Sequence, residues 1–179
     1  MFTAAKDVES AIEDEKQPTE DNDEHSVWEF TDRALMQEKR DAILSALERH
    51  HDVKLIRRSN ALYSSADHAF RTVCTVSKRY VRSGAAPYWY AYHTRWDDFL
   101  GDAAKAFFTL GCMDLDIAFA IPLDVVRGRL DELNTTEKSD GRFYWHIKII
   151  DQDSHQYALQ MPKSGKHLSL SKYAFKILA

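Results

Sequence analysis

Residues 70–93, FRTVCTVSKRYVRSGAAPYWYAYH, decide how this chain folds. From Phe70 to Val81 β-branched side chains recur, and Ser83-Gly84-Ala85-Ala86-Pro87 then interrupts them. β-Branched residues suit a pleated surface, whereas Gly and Pro punctuate it. The stretch therefore reads as one long strand, a break, and a second strand over Tyr88 to His93, with the two strands as antiparallel neighbours. Successive side chains of a strand point to opposite faces. Tyr88, Tyr90 and Tyr92 then share one face and Trp89 and His93 the other, and one of these faces must be covered by the core.

Upstream, Ser26 followed by Glu29 is a capping-box pattern, and Trp28, Leu35, Ala42, Ile43, Ala46 and Leu47 recur at helical spacing up to His50. Val53, Leu55 and Ile56 make a short strand, which Arg57-Arg58-Ser59-Asn60 interrupts before Ala61-Leu62-Tyr63. Downstream, Trp96, Phe99, Leu100, Ala103, Phe107 and Leu110 step by three and four, which predicts an amphipathic helix closed by Gly111. Leu115 to Ile121 is apolar on both sides, as expected of a central strand. After Pro122, Asp124 is placed to cap a short helix carrying Val126, Leu130 and Leu133, which Asn134-Thr135-Thr136 ends. Phe143 to Ile150 alternates and pairs as a hairpin with Tyr157 to Met161, while Leu168 to Leu170 and Tyr173 to Leu178 supply edge or docking pieces. The expected fold class is α+β: one domain over residues 26–179, with a mixed β-sheet flanked by helices. Its core is helix, three strands, helix, strand, and a C-terminal hairpin follows.

Composition sets the outer limits. A chain of 179 residues that is 44% hydrophobic, with six glycines and four prolines, suits a single core. No apolar run approaches the ~20 residues of a bilayer span, and the acids of MFTAAKDVESAIEDEK stand where a secretory signal carries basic residues. A cytoplasmic protein without membrane attachment is expected. Cys74 and Cys112 are too few for a disulfide framework and read as reduced, buried thiols. Residues 1–30 hold ten acids against Lys6 and Lys16, a net charge of −8, so residues 31–179 carry +4 of the whole chain's −4. The segment 1–25 has too few large apolar side chains to offset its ordering entropy and is expected to be a disordered acidic tail. It serves either as a solubilising tail or as an acidic pseudo-ligand for a basic surface of the same protein.

Short catalytic signatures are absent. Gly165-Lys166-His167 lacks the first glycine and the hydroxyl of a phosphate-binding loop, and neither a dinucleotide fingerprint nor an esterase elbow occurs. His50 and His51 are adjacent, so they leave a helix on different faces and suit a helix C-terminus better than a zinc site.

The element order over Ser26 to Ile121, with Val76-Ser77-Lys78 on the long strand and Asp67 upstream, resembles the PD-(D/E)xK nuclease family, the restriction-endonuclease-like fold. The resemblance covers about half the chain. It implies a magnesium-dependent nuclease in which Asp67 and Lys78 act with a further acid, Asp98 or Asp116. Val76 stands where the family pattern has an acid, and Asp67 has no preceding proline. A carboxylate missing from such a site removes one of the few ligands a divalent cation has.

The other signal combines rings with cations. Lys78, Arg79 and Arg82 precede Trp89, Tyr90, Tyr92 and His93, and Tyr144, His146 and Lys148 repeat the pattern on a later strand. Single-stranded nucleic acid is held by rings that stack on bases and cations that meet phosphates. If the strands share a sheet, His93 and His146 converge, and an acid such as Asp114 or Asp116 beside them would complete a metal or acid–base site. The expected function is a nucleic-acid-associated binding or accessory protein, using Lys78, Arg79, Arg82, Trp89, Tyr90, Tyr92, His93 and His146, with no cofactor. The alternatives are the nuclease, with Mg2+ and Asp67, Lys78, Asp98 or Asp116, and a protein–protein interaction module, because Tyr, Trp and Arg are also enriched at protein interfaces.

Overall fold

A computed structural model of the protein describes residues 28–80, 86–153 and 155–178. The acidic segment 1–25, the capping box at Ser26 and the candidate Arg82 lie outside the described residues. The fold is α+β, built as a helix on a mixed sheet on an antiparallel sheet. Helix α1 (Trp28–His51) comes first, followed by β1 (Ile56–Arg57), β2 (Leu62–Ser64), β3 (Phe70–Ser77) and β4 (Tyr88–His93). Helix α2 (Thr94–Gly101), β5 (Lys105–Cys112), β6 (Ile117–Pro122) and α3 (Leu123–Arg127) come next. After a 3-10 turn at Leu130–Glu132 the chain runs through β7 (Thr135–Glu137), β8 (Phe143–Gln152), β9 (Gln156–Met161), β10 (Lys166–Ser169) and β11 (Ala174–Lys176).

Sheet A has the order β1-β2-β3-β5-β6-β11, with β3 and β5 parallel over eight residue pairs and its other pairings antiparallel. Sheet B runs β10-β9-β8-β4, with β7 paired to β8 as well. Ile43, Leu44 and Leu47 of α1 bury against Tyr63, Cys74, Val76 and Ala118 on one face of sheet A, each contributing roughly 1.5–3 kcal/mol for its full burial. The larger core lies between the sheets, where Val73, Phe108, Leu110, Phe119 and Ile121 meet Tyr90, Ile147, Ile149, Leu159 and Met161.

Three expectations are corrected. The predicted helix over Trp96 to Leu110 stops at Gly101, and Lys105 to Cys112 is β5. A strand buried on both faces is apolar throughout, and such a run mimics a helical period. Here Phe108 and Leu110 enter the inter-sheet core while Gly111 faces Ile43 of α1. Second, β3 and β4 are not ladder neighbours. They part into different sheets, and the crossing is held by the Tyr80 amide on Pro87 O at 2.8 Å and the Trp89 amide on Ser77 Oγ at 3.1 Å. Third, β6 is one strand from the edge, covered there by the short β11, and Thr135 and Thr136 form β7 instead of a helix break. Asp124 lies inside α3, whose N-cap is Pro122.

Helix α1 ends in Arg49, His50 and His51, and Asp52 takes the left-handed conformation (φ 50°) that often closes a helix. The His51 ring packs between Phe70 and Phe107, both at 5.0 Å. Burial lowers its pKa below the ordinary imidazole value, and the charges of Lys105 and His50 add to that. The folded state therefore resists protonation here. This contribution to stability is present above the unfolded imidazole value of about 6.5 and is lost as pH falls through the lowered folded value. Urea denaturation of His51→Gln should show a flatter decline of stability on acidification than the parent protein, and identical slopes would remove His51 as the cause.

Candidate functional site

The inner face of β4 explains its tyrosines. Tyr88, Tyr90 and Tyr92 are fully buried, and each phenol reaches a different partner. The Tyr88 hydroxyl donates to Asp114 Oδ1 at 2.7 Å, that of Tyr90 to Gly111 O at 2.7 Å, and that of Tyr92 to Asp97 Oδ1 at 2.9 Å. Buried tyrosines need such partners. Both outer carboxylates are themselves gripped by arginines. Arg79 Nε donates to Asp114 Oδ2 at 2.6 Å, and Arg127 donates to both Asp97 oxygens at 3.0 Å. Burial raises the Tyr88 and Tyr92 pKa values, and the neighbouring carboxylates add to this. Burial alone would raise the Asp114 carboxyl, but the hydrogen bonds from Arg79 and Tyr88 outweigh it and hold the group below its ordinary range.

Tyr90 and Tyr92 are accordingly core residues and leave the candidate surface, because no ligand reaches a side chain closed between two sheets. Arg79 is committed to Asp114 and to Tyr88, whose hydroxyl lies 2.9 Å from its Nη2. That pairing compensates the charge offered to a phosphate. Lys78 lies just beyond the end of β3 with its ammonium 5.6 Å from the Tyr80 ring centroid.

The outer face of sheet B is different. Strand registers place Trp89, Ala91 and His93 of β4 beside Lys148, His146 and Tyr144 of β8. The same face continues through Ile150 and Gln152, then Gln156, Ala158 and Gln160 of β9, and His167 and Ser169 of β10, with Thr136 of β7 opposite Tyr144. Not one of these positions carries a carboxylate, in a chain with 28 acids. Among the described residues, α1 packs on β3 and β5, α2 on β3, β4 and β5, and α3 on β5 and β6.

At one end of this face four rings gather. Trp89 meets His146 at 5.5 Å and Tyr144 at 6.3 Å between centroids, both edge-on, and His93 meets Tyr144 at 5.6 Å. Trp89 Nε1 donates to His146 Nδ1 at 3.0 Å, and His146 Nε2 lies 2.6 Å from Thr136 Oγ1. His93 is nearly buried, at the N-cap of α2 and 4.6 Å from the Trp96 ring, while Trp89 and His146 are half-buried. The two histidines do share a face, but Asp114 is held at the end of sheet A by Arg79, and among the described residues neither it nor Asp116 groups with them as a metal site.

The nuclease candidates do not converge. Asp67 sits in the β2–β3 turn, accepting from Ser65 Oγ at 2.6 Å and the Ala69 amide at 3.1 Å, contacts that lower its pKa. Lys78 follows the far end of β3. Eight extended residues lie between them, a span of roughly 25 Å. Asp98 lies on α2, whose Phe99 carbonyl accepts from Arg71 near the start of β3, and Asp116 precedes β6 at the opposite end. Among the described residues no three His, Cys, Asp or Glu side chains are grouped to hold a metal ion. Burial pushes the Cys112 thiol up to about 12, which keeps it protonated at neutral pH. No helix among the described residues is long and apolar enough to cross a membrane.

Sequence reasoning named Trp89, His93 and His146 but missed Thr136 and the glutamine row Gln152, Gln156 and Gln160. Only the β8–β9–β10 registers bring these together. Compared with known proteins, the chain matches no family model, no curated protein and no solved structure.

Proposed function

We propose that the protein is a nucleic-acid-associated binding factor that holds a single strand across the outer face of sheet B. The observation that carries this reading is the outer face of sheet B, whose strand positions among the described residues hold no carboxylate, with the half-buried Trp89 ring, set against His146 and the buried Tyr144, beside Lys148. Rings offer stacking that tolerates any base, a cation meets the phosphates, and the lack of acids removes like-charge repulsion toward a polyanion. Lys78 borders the same region, since Ser77 Oγ, one residue before it, accepts the Trp89 amide. The likeness to PD-(D/E)xK nucleases enters only as a proposed scaffold relationship through element order. With Asp67 and Lys78 at opposite ends of β3, no hydrolytic step is assigned.

The test is a titration of an oligothymidylate of about ten nucleotides from low to high salt. Wild-type affinity should fall steeply with salt. Lys148→Ala should reduce the salt slope by about one counterion. Trp89→Ala should weaken binding about tenfold at every salt concentration with the slope unchanged, as expected for the loss of one base stack. Melting curves establish that both variants are folded. If both bind as the parent does, the reading fails. Salt-insensitive association with a protein instead of the oligonucleotide would favour an interaction module.

A further inference from the structure

We propose that His146 is a positioning residue for Trp89, holding the indole in its binding orientation only while the imidazole is neutral. This rests on reading the outer face of sheet B as the binding surface. An indole N–H is a donor only. Its 3.0 Å contact with His146 Nδ1 therefore requires that nitrogen to be bare. In the neutral ring the proton then sits on Nε2, which donates to Thr136 Oγ1 at 2.6 Å. One tautomer satisfies both contacts. The indole stands at 65° to the imidazole and 85° to the Tyr144 ring, so the hydrogen bond sets the plane that Trp89 offers to a base.

The described strand positions around His146 hold no carboxylate. Ala91 lies directly opposite on β4 with His93 one step along the same face, Tyr144 and Lys148 flank His146 on β8, and Thr136 faces it from β7. Glu137 belongs to the other face, opposite Phe143. Among these positions Lys148 opposes a proton. A proton added to Nδ1 would turn the acceptor into a donor facing the indole N–H, and the pair would separate.

Two effects of acidification then have opposite signs. Positive charge gained by the protein on acidification raises phosphate attraction and steepens the salt dependence. Release of Trp89 removes a stack, which does not depend on salt. Affinities extrapolated to 1 M salt, where the counterion contribution vanishes, isolate the second effect.

The experiment uses the full chain and the same oligothymidylate at pH 8 and pH 5.5, on either side of the ordinary imidazole value of about 6.5. The 1 M affinity of the parent should fall about tenfold on acidification, the order of one lost stack. His146→Asn places an amide oxygen where Nδ1 stood and does not titrate in this range, so it should keep the higher affinity at both pH values. His146→Ala should be weak at both. An intercept independent of pH, or an Asn variant as weak as the Ala variant, would overturn the proposal. Imidazole nitrogen chemical shifts of the free protein at pH 8 give a second readout, and the Nδ1–H tautomer there would overturn it equally. If the oligonucleotide does not bind at any pH, the proposed function fails while the tautomer measurement still judges the His146–Trp89 pair.

Discussion

Replacing Tyr90 by Ala is expected to lower folding stability by about 3–5 kcal/mol, the range for large aromatic truncations in a core. Tyr90 is 1% exposed and lies between the two sheets. Its hydroxyl donates to Gly111 O at 2.7 Å and sits 3.3 Å from Cys112 Sγ, so the side chain joins β4 to β5 across the inter-sheet gap. Truncation removes ring burial, leaves a cavity and strips the Gly111 carbonyl of its donor. Tyr90→Phe separates these contributions. It keeps the ring and loses only the hydrogen bond, at a cost of about 1–3 kcal/mol for the group left unsatisfied. Urea denaturation measures both variants. A loss below about 1 kcal/mol for Tyr90→Ala would mean that the tyrosine face of β4 is not core, and the assignment of Trp89 to the outer face would fail with it.

The alternation of residues 88–93 was readable because period-two patterning survives in a strand with one face inward, although sequence alone left open which face that is. The inner choice becomes intelligible once the phenols are followed to Asp114, Gly111 and Asp97, partners 26, 21 and 5 residues away. The α1 helix, the 143–161 hairpin and the edge strands were legible for the same reason: each shows one clean period or one clear break. The 105–112 segment was not. Its neighbours are β3 on one side and β6 on the other, it is buried from Phe108 onward, and its only polar side chains, Lys105 and Thr109, stand four apart, a helical spacing. The site was legible in part. Trp89 and His146 stood out as rings near cations, but their contact spans 57 positions, and it depends on a register that pairs Ala91 with His146. The ion pairs that neutralise Arg79 and fix Arg127 were invisible for the same reason. A charge count over the chain ranks Arg79 as a phosphate ligand, and only geometry shows it already held.

Gly111 of β5 faces Ile43 of α1, and Gly111→Ala is expected to destabilise by about 1–3 kcal/mol, the usual cost of overpacking. A methyl group there would meet Ile43 Cδ1 at 2.4 Å and Val76 Cγ2 at 3.2 Å. The first contact is untenable and the second needs only a small adjustment. Ile43→Val deletes Cδ1, the atom in conflict, at its own cost of about 0.5–1.5 kcal/mol. In that background the alanine methyl occupies the space Cδ1 vacated, and exchanging a glycine in an extended strand also reduces unfolded-state freedom, worth about 0.4–1 kcal/mol. The double variant should therefore be more stable than the sum of the two single losses predicts, with a coupling of about 0.5–3 kcal/mol for residues in contact. Gly111 lies beneath the helix and away from the outer face of sheet B, so the pair should leave oligonucleotide affinity unchanged. Strictly additive losses in a denaturation cycle would show that α1 does not rest on Gly111 through Ile43, and the packing of the helix on sheet A would have to be redrawn.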